Sequence, residues 1–256
     1  MIVINSQENA KDYKVIKTII VTMVLLVFFF VQGAVVGINE LEGTKSVLIQ
    51  GMIIWTSVLV AVAFSLIKNR NLTSIGFCKP EKNSSKKLLY YIPMLVIALL
   101  AWVIGINFDK GSGYILAYLF FTLSIGFAEE IYFRGIICNM WIEKSEKKAI
   151  IVSSVLFGIC HLMNVLGGAS LIQTSVQICF AFAYGVAVAL IFIISKSVWP
   201  CILLHAFHDF CSFVSCDGST QVDILLGAIQ FIIIIVYIAV LIRKKKTINS
   251  GFKYKE

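Results

Sequence analysis

The sequence predicts an all-α polytopic membrane protein, a bundle of about eight transmembrane helices with both termini cytoplasmic. Composition is the first ground. Of 256 residues, 59% are apolar and 14% are charged, whereas a soluble domain is about half apolar and a quarter charged. The second is periodic organisation, because the apolar residues gather into runs that meet or approach the roughly 20 residues a span needs. The third is charge placement, since Lys and Arg alternate between connections as the positive-inside rule requires.

The expected spans, in order, are Val15 to Ile38, Val47 to Ile67, Leu88 to Phe108, Gly113 to Ile142, Ala149 to Leu166, Leu171 to Ser195, Val198 to Ser215 and Val222 to Ile242. The first run is too long for the apolar core of a cleaved signal peptide and no small-residue cleavage site closes it, so it reads as a spanning helix. One side of the membrane receives Lys11, Lys14 and Lys17, the Lys68 to Lys87 loop, Lys144 to Lys148, Lys196 and the run from Arg243; the other receives only Lys45 and Lys110. Both ends therefore lie on the basic, cytoplasmic side of a cell membrane, which demands an even number of spans. No internal repeat and no loop long enough to fold alone is visible, so residues 1–256 read as a single integral membrane domain, its motif-bearing core at about residues 113–216.

A formal net charge of +8 raises the question of nucleic acid. The basic residues sit in short segments beside apolar runs and not on one soluble face, so the lipid bilayer is the expected partner and nucleic acid is not. The seven cysteines are scattered through apolar runs without a CxxC pair and read as small apolar residues.

Charged groups inside the spans need a reason, because each costs on the order of 3 kcal/mol at mid-bilayer. Glu129, Glu130 and Arg134 fall in the fourth expected span, and all three histidines, His161, His205 and His208, together with Asp209, fall in later ones. On a helix, residues i and i+4 share a face while neighbours point about 100° apart. Glu130 therefore pairs with Arg134, which makes an arginine tolerable in a dry bundle, and Glu129 is left to face a polar cavity as a base. The blander alternative makes both carboxylates ion-pair partners only. Phe157 and His161 also share a face; Glu129 and His161 each lie about 16 residues from the turn near Ser145, about 24 Å along antiparallel helices, hence at one depth. His205 and Asp209 are again i and i+4, either a private hydrogen-bonded pair or a pair in which Asp209 orients His205 or binds a polar substrate group. His208 is the weakest candidate and reads as a residue that supports the site from behind or merely packs.

Taken in order, these residues resemble the CPBP family of membrane-embedded proteases, which includes the type II CAAX prenyl endopeptidases and the bacterial Abi or bacteriocin-immunity relatives. Glu129-Glu130 with Arg134 matches the family's Glu-Glu-x-x-x-Arg and continues into Gly135; Phe157 with His161 matches Phe-x-x-x-His; His205 with Asp209 matches His-x-x-x-Asn/Asp. The aspartate at 209, where many prenyl endopeptidases carry asparagine, fits the bacterial branch better. The resemblance implies hydrolysis of a peptide bond in a membrane-associated peptide or protein substrate. Glu129, helped by His161, activates a water, and His205 with Asp209 stabilises the oxyanion; Glu130, Arg134 and Phe157 support them. A competing version has His161 and His205 hold a divalent metal such as zinc with Glu129 as base, but no HExxH is present to decide it. A non-catalytic immunity or interaction protein on the same scaffold, and a transporter or proton relay, are the alternative readings.

Overall fold

The structure, a computed structural model, describes residues 2–81 and 90–253, with side chains for residues 12–81, 90–219 and 221–245. It is 85% helical, without a strand among the described residues. Helix α1 (Ile2–Ile38) and α2 (Gly43–Asn69) lead to a 3-10 turn at Thr73–Ile75, then α3 (Ile92–Leu99) runs on as 3-10 helix through Leu100–Ile104. Helix α4 (Gly111–Glu130) continues through a π-helical stretch, Ile131–Cys138, and a last turn, Asn139–Ile142. Then follow α5 (Glu146–Cys160), a short turn at Met163–Leu166, α6 (Leu171–Ser195), α7 (Trp199–Val214) and α8 (Thr220–Lys253).

These elements follow the expected apolar runs in order, and six are long and apolar enough to cross a membrane: Asp12–Ile38, Gly43–Asn69, Phe108–Ile142, Glu146–Leu166, Leu171–Ser195 and Gln221–Lys245. The other two runs form shorter helices. A proline in the first turn opens both α3 and α7; Gly105, at φ 102°, ends the 3-10 extension of α3. Helix α7 ends where Ser215 turns extended, after 16 residues, which rise about 24 Å against a hydrocarbon core of about 30 Å. The beginning of the third expected run, Leu88 and Leu89, lies outside the described residues.

Both ends of the bundle are tied across its helices. At one end Lys14 pairs with Glu143 at 2.9 Å, Lys196 with Glu81 at 2.7 Å, and Lys245 with Glu146. The start of α1, the α4–α5 turn, the α6–α7 turn and the end of α8 thus share one side, the side to which the charge alternation assigns them. At the other end Asn107 N–H donates to Val214 O (2.9 Å), Cys216 N–H to Gly105 O (3.0 Å) and the Tyr114 hydroxyl to Phe213 O (3.0 Å), joining the ends of α3 and α7 and the start of α4.

Helix α4 is the axis on which the rest is placed. Tyr132 donates to Ser57 O on α2 (3.2 Å), and Trp141 Nε1 donates to Thr18 Oγ1 on α1 (2.9 Å). Two glycines set its distances to neighbours. A Cβ at Gly126 would lie 3.0 Å from Ala206 Cβ and 3.1 Å from Ile202 O, so glycine lets α7 approach closely. A Cβ at Gly135 would meet Ile75 O at 2.7 Å, a backbone atom that cannot swing aside, so this position holds the Thr73–Ile75 turn against α4. Helix α6 is buried through Ala187, Val188, Ala189 and Leu190, whereas α1 presents Ile16, Ile19, Ile20, Met23 and Val27 outward, as a lipid-facing helix does.

Candidate active site

The last turn of α4 and the wide turn after it carry three of the charged residues. The Arg134 and Glu130 side chains are both 0% exposed, with Nη1 3.0 Å from Oε1. Arg134 Nη2 also donates to Gly185 O on α6 at 3.2 Å, and its guanidinium lies over the Phe157 ring, 4.5 Å from the centroid. A cation so placed is neutralised, hydrogen-bonded and stacked, which is what a dry interior requires of an arginine. The structure therefore brings together Glu130 and Arg134 as the i, i+4 spacing predicts.

Glu130 has a second partner that the spacing does not reveal. Oε1 lies 2.7 Å from Nδ1 of His205 on α7. The acceptor is a carboxylate, so Nδ1 carries the proton and Nε2 is the ring atom turned to the remaining groups. Those are Glu129 Oε2 at 3.6 Å and Asp209 Oδ2 at 3.5 Å, close enough to interact as charges but longer than ordinary hydrogen bonds. The consecutive glutamates thus address the two nitrogens of one imidazole. It is Glu130 that holds the His205 ring, while Asp209, one turn along α7, faces its other side.

Asp209 also engages His208, with Oδ1 3.3 Å from Nδ1. The His208 ring stacks on Phe180 and lies 5.0 Å from Tyr184. His208 thus both packs among aromatic rings and braces the Asp209 carboxylate. His161 follows the last residue of α5; its Nδ1 sits 2.9 Å from Phe157 O, a carbonyl that can only accept. The proton is thus on Nδ1, and Nε2 remains available as an acceptor. Both His161 and His205 lie within electrostatic reach of Glu129. The Phe157 ring meets His161 at 5.3 Å and His205 at 5.6 Å, both edge-on, as well as Arg134. One aromatic ring therefore fixes the distance between both histidines and the buried cation.

Tyr184 on α6 is a component that sequence reasoning missed. It is 3% exposed, its ring is 5.7 Å from that of His205, and its hydroxyl has no hydrogen-bond partner among the described residues. The signal available in the sequence was a phenol in the middle of an apolar span, where its hydroxyl needs a partner that only a polar site supplies.

The Glu129 side chain is 11% exposed, in contrast to the sealed Glu130, so the two carboxylates occupy different environments. Among the described residues no group of three or more His, Cys, Asp or Glu side chains is arranged to hold a metal ion.

No curated protein matches the chain. The family model described as type II CAAX prenyl endopeptidase Rce1-like matches residues 111–211, the stretch that runs from the start of α4 into α7 and contains Glu129, Arg134, Phe157, His161, His205 and Asp209. The motif-bearing segment is therefore similar to the Rce1-like type II CAAX prenyl endopeptidases, in agreement with the resemblance carried by its three motifs.

Proposed function

We propose that the protein is an endopeptidase of the cell membrane that hydrolyses a peptide bond in a membrane-associated peptide or protein, with Glu129 activating the water. The observation that carries this reading is the convergence of the Glu129 carboxylate on His205 Nε2 while Glu130 holds the opposite ring nitrogen. Glu129 removes a proton from a water whose oxygen attacks the scissile carbonyl carbon, and His161, through Nε2, assists that transfer. As the tetrahedral intermediate forms, the carbonyl electron pair moves to oxygen. His205, protonated on both nitrogens and held by Glu130 on one side and Asp209 on the other, stabilises the oxyanion. The proton held by Glu129 then passes to the departing amine.

Proteolysis predicts that cells expressing the native chain and cells expressing Glu129→Gln differ in their membrane peptides. At least one peptide present in full length with the variant should be shortened with the native protein. Identical profiles would favour an immunity or interaction protein that keeps only the scaffold, and pH-dependent proton flux in liposomes without cleavage would favour a relay. A second expectation concerns cofactors: dialysis of the purified enzyme against a strong chelator should leave its rate unchanged. Loss of activity that added zinc restores would replace the metal-free mechanism with one in which His161 and His205 are ligands.

A further inference from the structure

On the basic side of the bundle, away from the Glu129–His205 pair, lies a cavity of about 630 Å³ bounded by α1, α2, the Thr73–Ile75 turn and the end of α4. Three lysines line it, Lys14, Lys17 and Lys68, against a single acid, Glu143. That acid is taken: Lys14 Nζ donates to Glu143 Oε2 and to Met140 O, both at 2.9 Å. This hydrogen bond and the Lys14 charge hold the Glu143 carboxyl below its ordinary range. Lys17 and Lys68 form no salt bridge among the described residues, and the charged groups that press on Lys17 are Lys68 and Lys14.

Like charges gathered around a cavity repel one another, and Lys17 is half-buried, so water screens it incompletely. The fold holds them there all the same. The Lys17 backbone belongs to α1, which Trp141 anchors through Thr18. The opposite wall is the Thr73–Ile75 turn, locked to α4 by the contact at Gly135 and by the hydrogen bond from Asn139 Nδ2 to Ser74 O at 2.7 Å. Asn69 Nδ2 donates to Ser74 Oγ at 2.9 Å, so the floor of the cavity is polar and already ordered. Phe64, Ile136 and Met140 supply apolar wall beside it.

We infer that this cavity binds a phosphate-bearing anion between the Lys17 and Lys68 ammonium groups. The charge needs an anion with no partner of its own, and the position on the basic face, with apolar side chains alongside, makes the headgroup of an anionic phospholipid the expected source. Bound there, it bridges α1 and α2 beside the helix that carries Arg134, Glu130 and Glu129.

The test uses the purified full chain in nanodiscs of phosphatidylcholine, with and without phosphatidylglycerol, and native mass spectrometry to read which lipid stays bound. The native chain is expected to retain phosphatidylglycerol in preference to phosphatidylcholine, K17Q/K68Q to lose that preference by about tenfold or more, and the charge-keeping K17R/K68R to retain it. K45Q, which removes an exposed lysine from the opposite side, should behave as native. Displacement of the bound lipid by inorganic phosphate would assign the site to soluble phosphate, whereas persistence assigns it to the headgroup; both outcomes uphold an anion site. No preference in the native chain, or an undiminished preference in K17Q/K68Q, overturns the inference. Should the double variant fail to fold, K68Q alone carries the test, because Lys68 is exposed and its loss strands no buried charge.

Discussion

Purified Glu129→Gln protein is expected to keep its fold and to hydrolyse substrate about 10²- to 10⁴-fold more slowly than the native enzyme, the range that a positioned general base supplies. Glutamine has nearly the shape of glutamate. The Glu129 side chain forms no ion pair with Arg134, and its carboxylate is 3.6 Å from His205 Nε2, so little packing or hydrogen bonding is lost. The proton acceptor, however, is gone. Turnover of a reporter peptide and thermal unfolding of the same sample separate the two effects. A variant that unfolds with the native midpoint and turns over at the native rate would remove Glu129 from the chemistry; one that fails to fold would make it a structural ion.

Arg134→Ala should behave in the opposite way, with folded yield and thermal stability falling before any rate is measured. Glu130 is 0% exposed, and without the guanidinium its carboxylate keeps only His205 as a cationic or donating partner. Breaking a buried pair by removing one member costs about 3–5 kcal/mol, a large share of the roughly 5–15 kcal/mol that holds a typical fold. The Phe157 ring loses its stacked cation at the same time, and Gly185 O loses its donor. Fluorescence size-exclusion profiles of Arg134→Ala and Glu129→Gln, expressed in parallel, check the contrast. Equal loss of the folded peak in both would contradict the division between a sealed ion pair and a working carboxylate.

The contrast between the two glutamates was legible in the sequence because helix geometry alone decides it: only Glu130 is one turn from Arg134. The partner of His205 was not. Asp209, at i+4 on the same helix, is the neighbour that local spacing nominates, but the choice of Glu130 depends on how closely α7 packs against α4, a distance set by Gly126 and its contact with Ala206. Span existence was likewise visible as apolar runs, whereas span length was not, because composition does not say where a run ceases to be helical. Gly105 and the extended Ser215 shorten the helices at α3 and α7. Tyr184 is not apparent from sequence because a tyrosine among apolar residues looks like ordinary packing until its ring is found against those of His205 and His208. The lysines of the basic-side cavity are visible in the sequence only as topological signals, since nothing local shows that Lys17 and Lys68, on separate helices, line one cavity.

The π-helical stretch from Ile131 to Cys138 explains how one helix serves two unrelated neighbours. Its hydrogen bonds close over five residues, as in Asn139 N–H to Arg134 O, so each such turn holds one residue more than an α turn and sets the helix back by roughly 100°. Before the stretch, Glu129 and Glu130 look toward α7; after it, Trp141 and Glu143 look toward α1. A chain shortened by one residue here would keep its glutamates in place and rotate its anchors away from α1. The wide turn is thus a phase adjustment between the reactive half of the helix and the half that fastens it to the bundle.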